Sequence, residues 1–147
     1  MMSSLRRILD VKGYGVWGVT PVTTVYDALR LMEEKNVGAV LVMKGEQLLG
    51  ILSERDYARQ IILKGRASKE TTVEEIMSKP VVTAHPEQTP QECMEVMTKM
   101  SFRHLPVVEN NKVIGVISLG DIVRDLLFQK DKRIKELQSK KKRDIIP

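Results

Sequence analysis

The sequence predicts an α/β fold: two pseudo-twofold-related repeats, each running helix, strand, strand, helix, sharing one core and followed by a C-terminal helical extension. Three observations predict it. Residues 21–62 lie over residues 86–127 at a constant offset of 65 positions, with identities at Pro21/Pro86, Thr24/Thr89, Met32/Met97, Val42/Val107, Gly50/Gly115, Ser53/Ser118, Asp56/Asp121 and Arg59/Arg124. Within each copy the apolar period changes from helical to alternating or continuous and back again. Helix-start signals also recur at matching places in the two copies. The organisation expected is a first repeat over residues 1–66, a second over 67–128 and a basic helical tail over 129–147, with the two repeats sharing one core. A chain of 147 residues buries roughly two-thirds of its unfolded surface, whereas either half alone would be marginal.

The elements follow in order. Leu5 to Leu9 and Val16 to Val19 read as a short helix and strand, a looser counterpart of a segment that recurs before the second copy. Thr24-Val-Tyr-Asp27 places a hydroxyl at a helix N-cap with an acid three residues on, and Val25, Ala28, Leu29 and Met32 form the apolar face that follows. Gly38 to Met43 and Leu48 to Leu52, separated by Lys44-Gly-Glu-Gln47, read as a hairpin. A closing helix is expected to start at Asp56 and to turn Ala58, Ile61 and Ile62 inward. Lys64 to Thr72 is a polar linker. A capping box at Thr72 to Glu75 opens a short helix through Ile76 and Met77, and a strand is expected over Val81 to Thr83. The second copy then repeats the pattern. A helix begins at Thr89 with Pro90 at its first position and carries Cys93, Met94, Met97 and Met100, strands flank Glu109-Asn-Asn-Lys112, and a helix from Asp121 turns Ile122, Val123, Leu126 and Leu127 inward.

Composition narrows the function. The net charge is +5, but residues 1–127 carry 16 basic and 16 acidic side chains, so the whole excess lies in Phe128 to Pro147. Affinity for a polyanion would therefore belong to the tail, with its Lys140 to Arg143 cluster. No apolar run is long enough to span a membrane and Met1 to Val11 lacks the apolar stretch of a signal peptide, so a soluble, cytoplasmic protein without membrane contact is expected. The single cysteine, Cys93, cannot form an internal disulfide and lies among methionines on an apolar helix face, where it reads as a core thiol. Two histidines and one cysteine cannot build a zinc set, and His85 reads as a surface loop residue. There is no Walker loop, dinucleotide fingerprint or catalytic triad order, so no catalytic or metal residue is assigned.

The residues suited to chemistry sit where each hairpin runs into its closing helix. Ser53 or Ser118, with the N–H groups of a helix start, could bind phosphate. Asp56 or Asp121, an acceptor of hydrogen bonds only, would suit the vicinal hydroxyls of a ribose. The plainer alternative is helix capping, since Asp is a favoured N-cap and Ser beside a turn is ordinary. Retention of both residue types in both copies asks for more than capping, because Asn, Ser or Thr would cap about as well.

Together with the tandem repeat, four further signals make the chain resemble the CBS domain pair, or Bateman module, named from cystathionine beta-synthase. They are the two Gly-x-x-Ser-x-x-Asp motifs, the segment Ile76 to Thr83 and the segment Phe102 to Val108. The resemblance implies that the two repeats are packed through their sheets, leaving two clefts that bind adenosine-type ligands, with Asp56 and Ser53 in one and Asp121 and Ser118 in the other. It implies that Arg103 and His104 reach toward phosphate, where the first copy has Gly38 and Ala39. Arg55 is expected to compensate in the first-motif cleft and Gly120 to open room in the second. Val37, Ile51, Val82, Phe102, Val116 and Trp17 fall on positions that line the base, and Thr83 closes the segment beside them.

The function expected on this basis is a non-catalytic regulatory sensor, an energy-sensing module whose ligand is an adenine nucleotide: AMP foremost, or ATP, ADP or NAD(H). Occupancy would be read through conformation or association, with no cofactor required. A homodimer assembled as a disc, using Ile134 and Leu137 of the tail, and an unidentified regulated protein are the partners expected. The competing reading is a nucleic-acid-binding module acting through the tail, which predicts steep salt dependence. A catalyst acting on nucleotides ranks last.

Overall fold

Two β-hairpins, each framed by helices, carry the computed structural model, which describes residues 3–145, with side chains as far as residue 140. The elements are α1 (Leu5–Lys12), β1 (Gly18–Val19), α2 (Val25–Lys35), β2 (Ala39–Lys44), β3 (Gln47–Ser53), α3 (Glu54–Tyr57), α4 (Val73–Ile76), α5 (Pro90–Met100), β4 (His104–Glu109), β5 (Lys112–Ser118) and α6 (Leu119–Ile145). A single π turn, Ala58–Ile62, prolongs α3. The chain is thus a mixed α/β structure of two repeats with a C-terminal helix, as expected from the sequence.

The repetition extends to backbone detail. The β2–β3 ladder shifts register between Val42 and Met43, and β4–β5 shifts at the equivalent Val107/Val108. Helices α2 and α5 both end on a left-handed residue, Asn36 (φ 54°) and Ser101 (φ 58°). Their N-caps, Thr24 and Thr89, accept from the N–H of Asp27 and Glu92, satisfying donors that a helix start leaves unpaired. Asn110 and Asn111, both at positive φ, make the tight β4–β5 turn, a backbone conformation that asparagine tolerates.

Packing crosses the order of the chain. Leu5, Ile8 and Leu9 of α1 enter the core of the second copy, with Cys93, Met97, Leu105, Val107, Ile117 and Ile122. Val73 and Ile76 of α4, which precede the second copy in sequence, enter the core of the first, with Val25, Met32, Val40, Val42 and Leu52. Backbone hydrogen bonds fasten the exchange: Leu5 and Arg6 donate to the carbonyls of Gln88 and Pro86, while Val73 and Glu74 donate to those of Thr23 and Pro21. Each short helix lies over the glycine of the opposite motif. A Cβ at Gly115 would stand 2.6 Å from Leu9 Cδ2, and one at Gly50 would meet the Met77 side chain, so both glycines serve close approach.

Several local expectations change. Val81 to Thr83 joins no ladder; the chain touches the sheets only beside it, through Ser78 opposite Ile51 and Ala84 opposite Val107. The closing helices begin at Glu54 and Leu119, each two residues earlier than Asp56 and Asp121. Ile61 and Ile122 are buried, but Ile62, Val123 and Leu127 are exposed, as is Ala58, because the π turn rotates the first helix and α6 lies against its neighbours by a narrower face. Burial pushes the Cys93 thiol up to about 11, in keeping with a core role. Ile134 and Leu137 are exposed on α6, and the side chains of Lys141 to Arg143 lie outside the described residues.

Candidate functional site

The Ser-x-x-Asp motif is a capping box in both copies. Ser53 Oγ accepts from the Asp56 N–H at 3.2 Å, and the Asp56 carboxylate accepts from the Ser53 N–H at 2.9 Å and its hydroxyl at 3.1 Å. The Ser118 N–H donates to Asp121 at 2.8 Å and the Asp121 N–H to Ser118 Oγ at 3.1 Å. Ser is therefore the N-cap and Asp the third helical residue, which corrects the expectation that Asp caps. The next N–H in each copy is also engaged, Glu54 with the Gly38 carbonyl at 3.1 Å and Leu119 with that of Arg103 at 2.8 Å. Most N–H groups that were expected to receive a phosphate are thus already spent within the chain.

What remains differs between the two copies. In the first, Asp56 Oδ1 accepts only from the Ser78 hydroxyl at 3.0 Å, an exchangeable neutral partner. A cavity of about 340 Å³ opens beside it, enclosed by Gly38, Ile51, Ser53, Arg55, Asp56 and Val82 together with Phe102, Arg103 and His104, all singled out from the sequence. Ser78, Pro80, Val81, Met100 and Ser101 complete the wall, with Glu54 and Arg59. Ile51, Val81, Val82 and Phe102 supply an apolar side. Arg55, Arg59 and Arg103 supply three guanidiniums against the two carboxylates of Glu54 and Asp56. Arg55 donates to the Ser101 carbonyl at 3.3 Å, while Arg59 and Arg103 make no ion pair among the described residues.

Sequence reasoning missed Arg59. Its counterpart, Arg124, donates to Asp121 Oδ1 at 2.7 Å from a regular helix, whereas the π turn carries Arg59 to the cavity wall without that partner. The identity Arg59/Arg124 was visible, but the π turn was not. Ser78 was also missed, being one residue in an otherwise featureless loop.

In the second copy Asp121 is only 8% exposed and both of its oxygens meet cations, Lys12 Nζ at 2.5 Å and Arg124 at 2.7 Å. Burial works to raise the Asp121 carboxyl, but the Lys12 hydrogen bond and the Ser118 N–H outweigh it and hold the group below the usual carboxylate range. The room expected beside Gly120 is taken by Arg124, whose Nη1 stands 3.3 Å from where a Cβ would lie. Ser118, Val116, Gly120, Trp17, Val37, Ala39 and Thr83 do not line the first cavity. Trp17 is 39% exposed and carries Lys35 Nζ 4.7 Å from its ring centroid, a cation–π contact.

His104 stands between the two copies, its Nε2 3.3 Å from where a Cβ on Gly38 would lie. Burial, aided by Lys12 and Arg103, lowers its pKa below 6.5 against the opposing pull of Asp121 and Asp56. Burial thus disfavours its imidazolium form, and the positive charge of the cavity comes chiefly from arginine. Among the described residues no cluster of His, Cys, Asp or Glu could hold a metal, and no helix is long and apolar enough to cross a membrane.

The CBS domain family model matches residues 15–63 and 73–127. The chain is 41% identical over 132 residues to the mitochondrial CBS domain-containing protein CBSX3 of Arabidopsis thaliana, covering 86% of this chain and 64% of that one, so it spans just under two-thirds of the plant protein. It is 35% identical to the CBS domain-containing protein YhcV of Bacillus subtilis, covering 82% of this chain and 84% of that protein. Among solved structures, a putative signal-transduction protein with CBS domains from Burkholderia ambifaria superposes with a TM-score of 0.81 at 45% identity, over 84% of this chain and 93% of that one.

Proposed function

The chain belongs to the CBS domain family, and from that premise we propose that it is a non-catalytic regulatory module whose first cleft binds an adenine nucleotide. The observation that carries this reading is the cavity at Asp56, lined by an apolar wall, a carboxylate whose Oδ1 meets only a neutral hydroxyl, and three guanidiniums. The purine would lie against Ile51, Val82 and Phe102, the ribose hydroxyls on Asp56, and the phosphates on Arg55, Arg59 and Arg103. Ser78 would exchange its bond to Asp56 for one to the sugar. Three guanidiniums exceed what one phosphate needs, which favours ADP, ATP or NAD(H) over AMP.

Loop Ser78 to Val82 and the Ser101 to His104 segment both line the cleft but come from different sides of the exchange between copies. A nucleotide that touches both stabilises their closed arrangement, and a partner could read it. The exposed face of α6, with Leu127, Ile134 and Leu137, would serve association with a second copy. The test is calorimetric titration of ligand-stripped protein with AMP, ADP, ATP and NAD. The expected result is saturable binding that Asp56→Ala abolishes. Silence toward all four sinks the proposal.

A further inference from the structure

The asymmetry between the two Asp residues has a structural origin in α1. Lys12 lies in the last turn of that helix, and its ammonium donates to Asp121 Oδ2 at 2.5 Å and to the Val116 carbonyl at 2.7 Å. These two acceptors belong to the strand end and motif that correspond to Ile51 and Asp56 in the first cleft. Arg124 takes the remaining carboxylate oxygen at 2.7 Å. Asp56, by comparison, meets no cation among the described residues, only the neutral Ser78 hydroxyl. The hydrogen bonds that set Leu5 and Arg6 where Val73 and Glu74 stand in the other copy make Pro80 the counterpart of Lys12, a residue with no charge to offer. The open space at Asp121 is a groove between α1 and α6, walled by Arg7, Ile8, Val11, Lys12, Arg124 and Phe128 among others, and it does not include Val116 or Ser118.

We infer that Lys12 is a built-in occupant of the second cleft, holding Asp121 and the Val116 carbonyl in place of a ligand and thereby limiting the protein to one nucleotide per chain. A diol approaching Asp121 would have to displace two cations from a carboxylate that is nearly sealed from water, whereas one approaching Asp56 displaces a single hydroxyl. Charge-assisted hydrogen bonds are about twice as strong as neutral ones, so the first exchange is the costly one. Lys12 is thus a specificity-determining residue that selects between two otherwise similar motifs. The inference rests on the nucleotide reading of the first cleft, and it also makes a claim that needs no ligand.

The experiment pairs two readouts on the full chain, using the wild type, Lys12→Met and Asp121→Ala. Calorimetric titration with ADP is expected to give about one equivalent for the wild type and about two for Lys12→Met, while Asp121→Ala stays at one. Carboxyl NMR of Asp121 is expected to show its titration moving to higher pH in Lys12→Met. Two equivalents in the wild type, one of them lost in Asp121→Ala, would overturn the inference, as would one equivalent in both wild type and Lys12→Met. An unmoved Asp121 titration overturns the contact itself. If no variant binds ADP while the titration moves, the nucleotide reading fails and the Lys12 contact stands.

Discussion

Alanine at Arg59 and Arg103 together is expected to weaken ADP binding about 100-fold, and each substitution alone about tenfold. The figure comes from the low end of the range for hydrogen bonds to charged groups, about 1.5 kcal/mol each, because both side chains are exposed and screened by solvent. Neither arginine pairs with an acid among the described residues, so their loss leaves no carboxylate stranded, and thermal stability should stay within about 0.5 kcal/mol of wild type. Adenosine, which has no phosphate, should bind the variants and the wild type alike. A parallel loss of adenosine binding would place the guanidiniums on the base or sugar and overturn their assignment to phosphate. Calorimetry at two salt concentrations reads both effects, because the phosphate contribution should shrink as salt rises.

The second large effect concerns stability and the exchange of helices between the copies. Leu9→Ala is expected to cost about 2–5 kcal/mol, as deletion of a fully buried leucine does, although it lies outside the 65-residue repeat. Leu9 is completely buried and sits over Gly115, where its removal opens a cavity in the core formed by Met97, Leu105 and Ile117. Val11→Ala on the same helix should be nearly silent, because Val11 is 86% exposed. Urea denaturation of the two variants compares them directly. An equal, small effect for both would mean that α1 is not part of the second core.

The features of the fold that local chemistry dictates were legible in the sequence. Thr24, Thr72 and Thr89 announced their helices because a cap needs only a hydroxyl and three residues of context, and the hairpins followed from two apolar runs about a polar turn. The pairing of α1 with the second copy and α4 with the first was not legible. It depends on which helix slides over Gly50 and which over Gly115, a choice made by tertiary packing. The same limit applied to the site. Asp56 could be found because its residue type carries chemistry at a position repeated in both copies, and Arg103 and Phe102 because they fall in a segment that resembles a family motif. The difference between Asp56 and Asp121 could not, because it arises from Lys12, some 109 residues away in sequence, and from the π turn that separates Arg59 from the behaviour of Arg124. Asp56 and Asp121 were also expected to start their helices; the capping boxes show that Ser53 and Ser118 do so, with the carboxylates answering three residues later.

That a sugar and its phosphates occupy the space between Asp56 and Arg103 is tested most directly by following backbone amide resonances during titration with ADP. Saturable shifts should be confined to the walls of the first cleft, at Ile51 to Asp56, Ser78 to Val82 and Ser101 to His104, while Lys12 and Gly120 stay still. Shifts that centre instead on the groove between α1 and α6, or a spectrum unmoved by ADP at millimolar concentration, would contradict it.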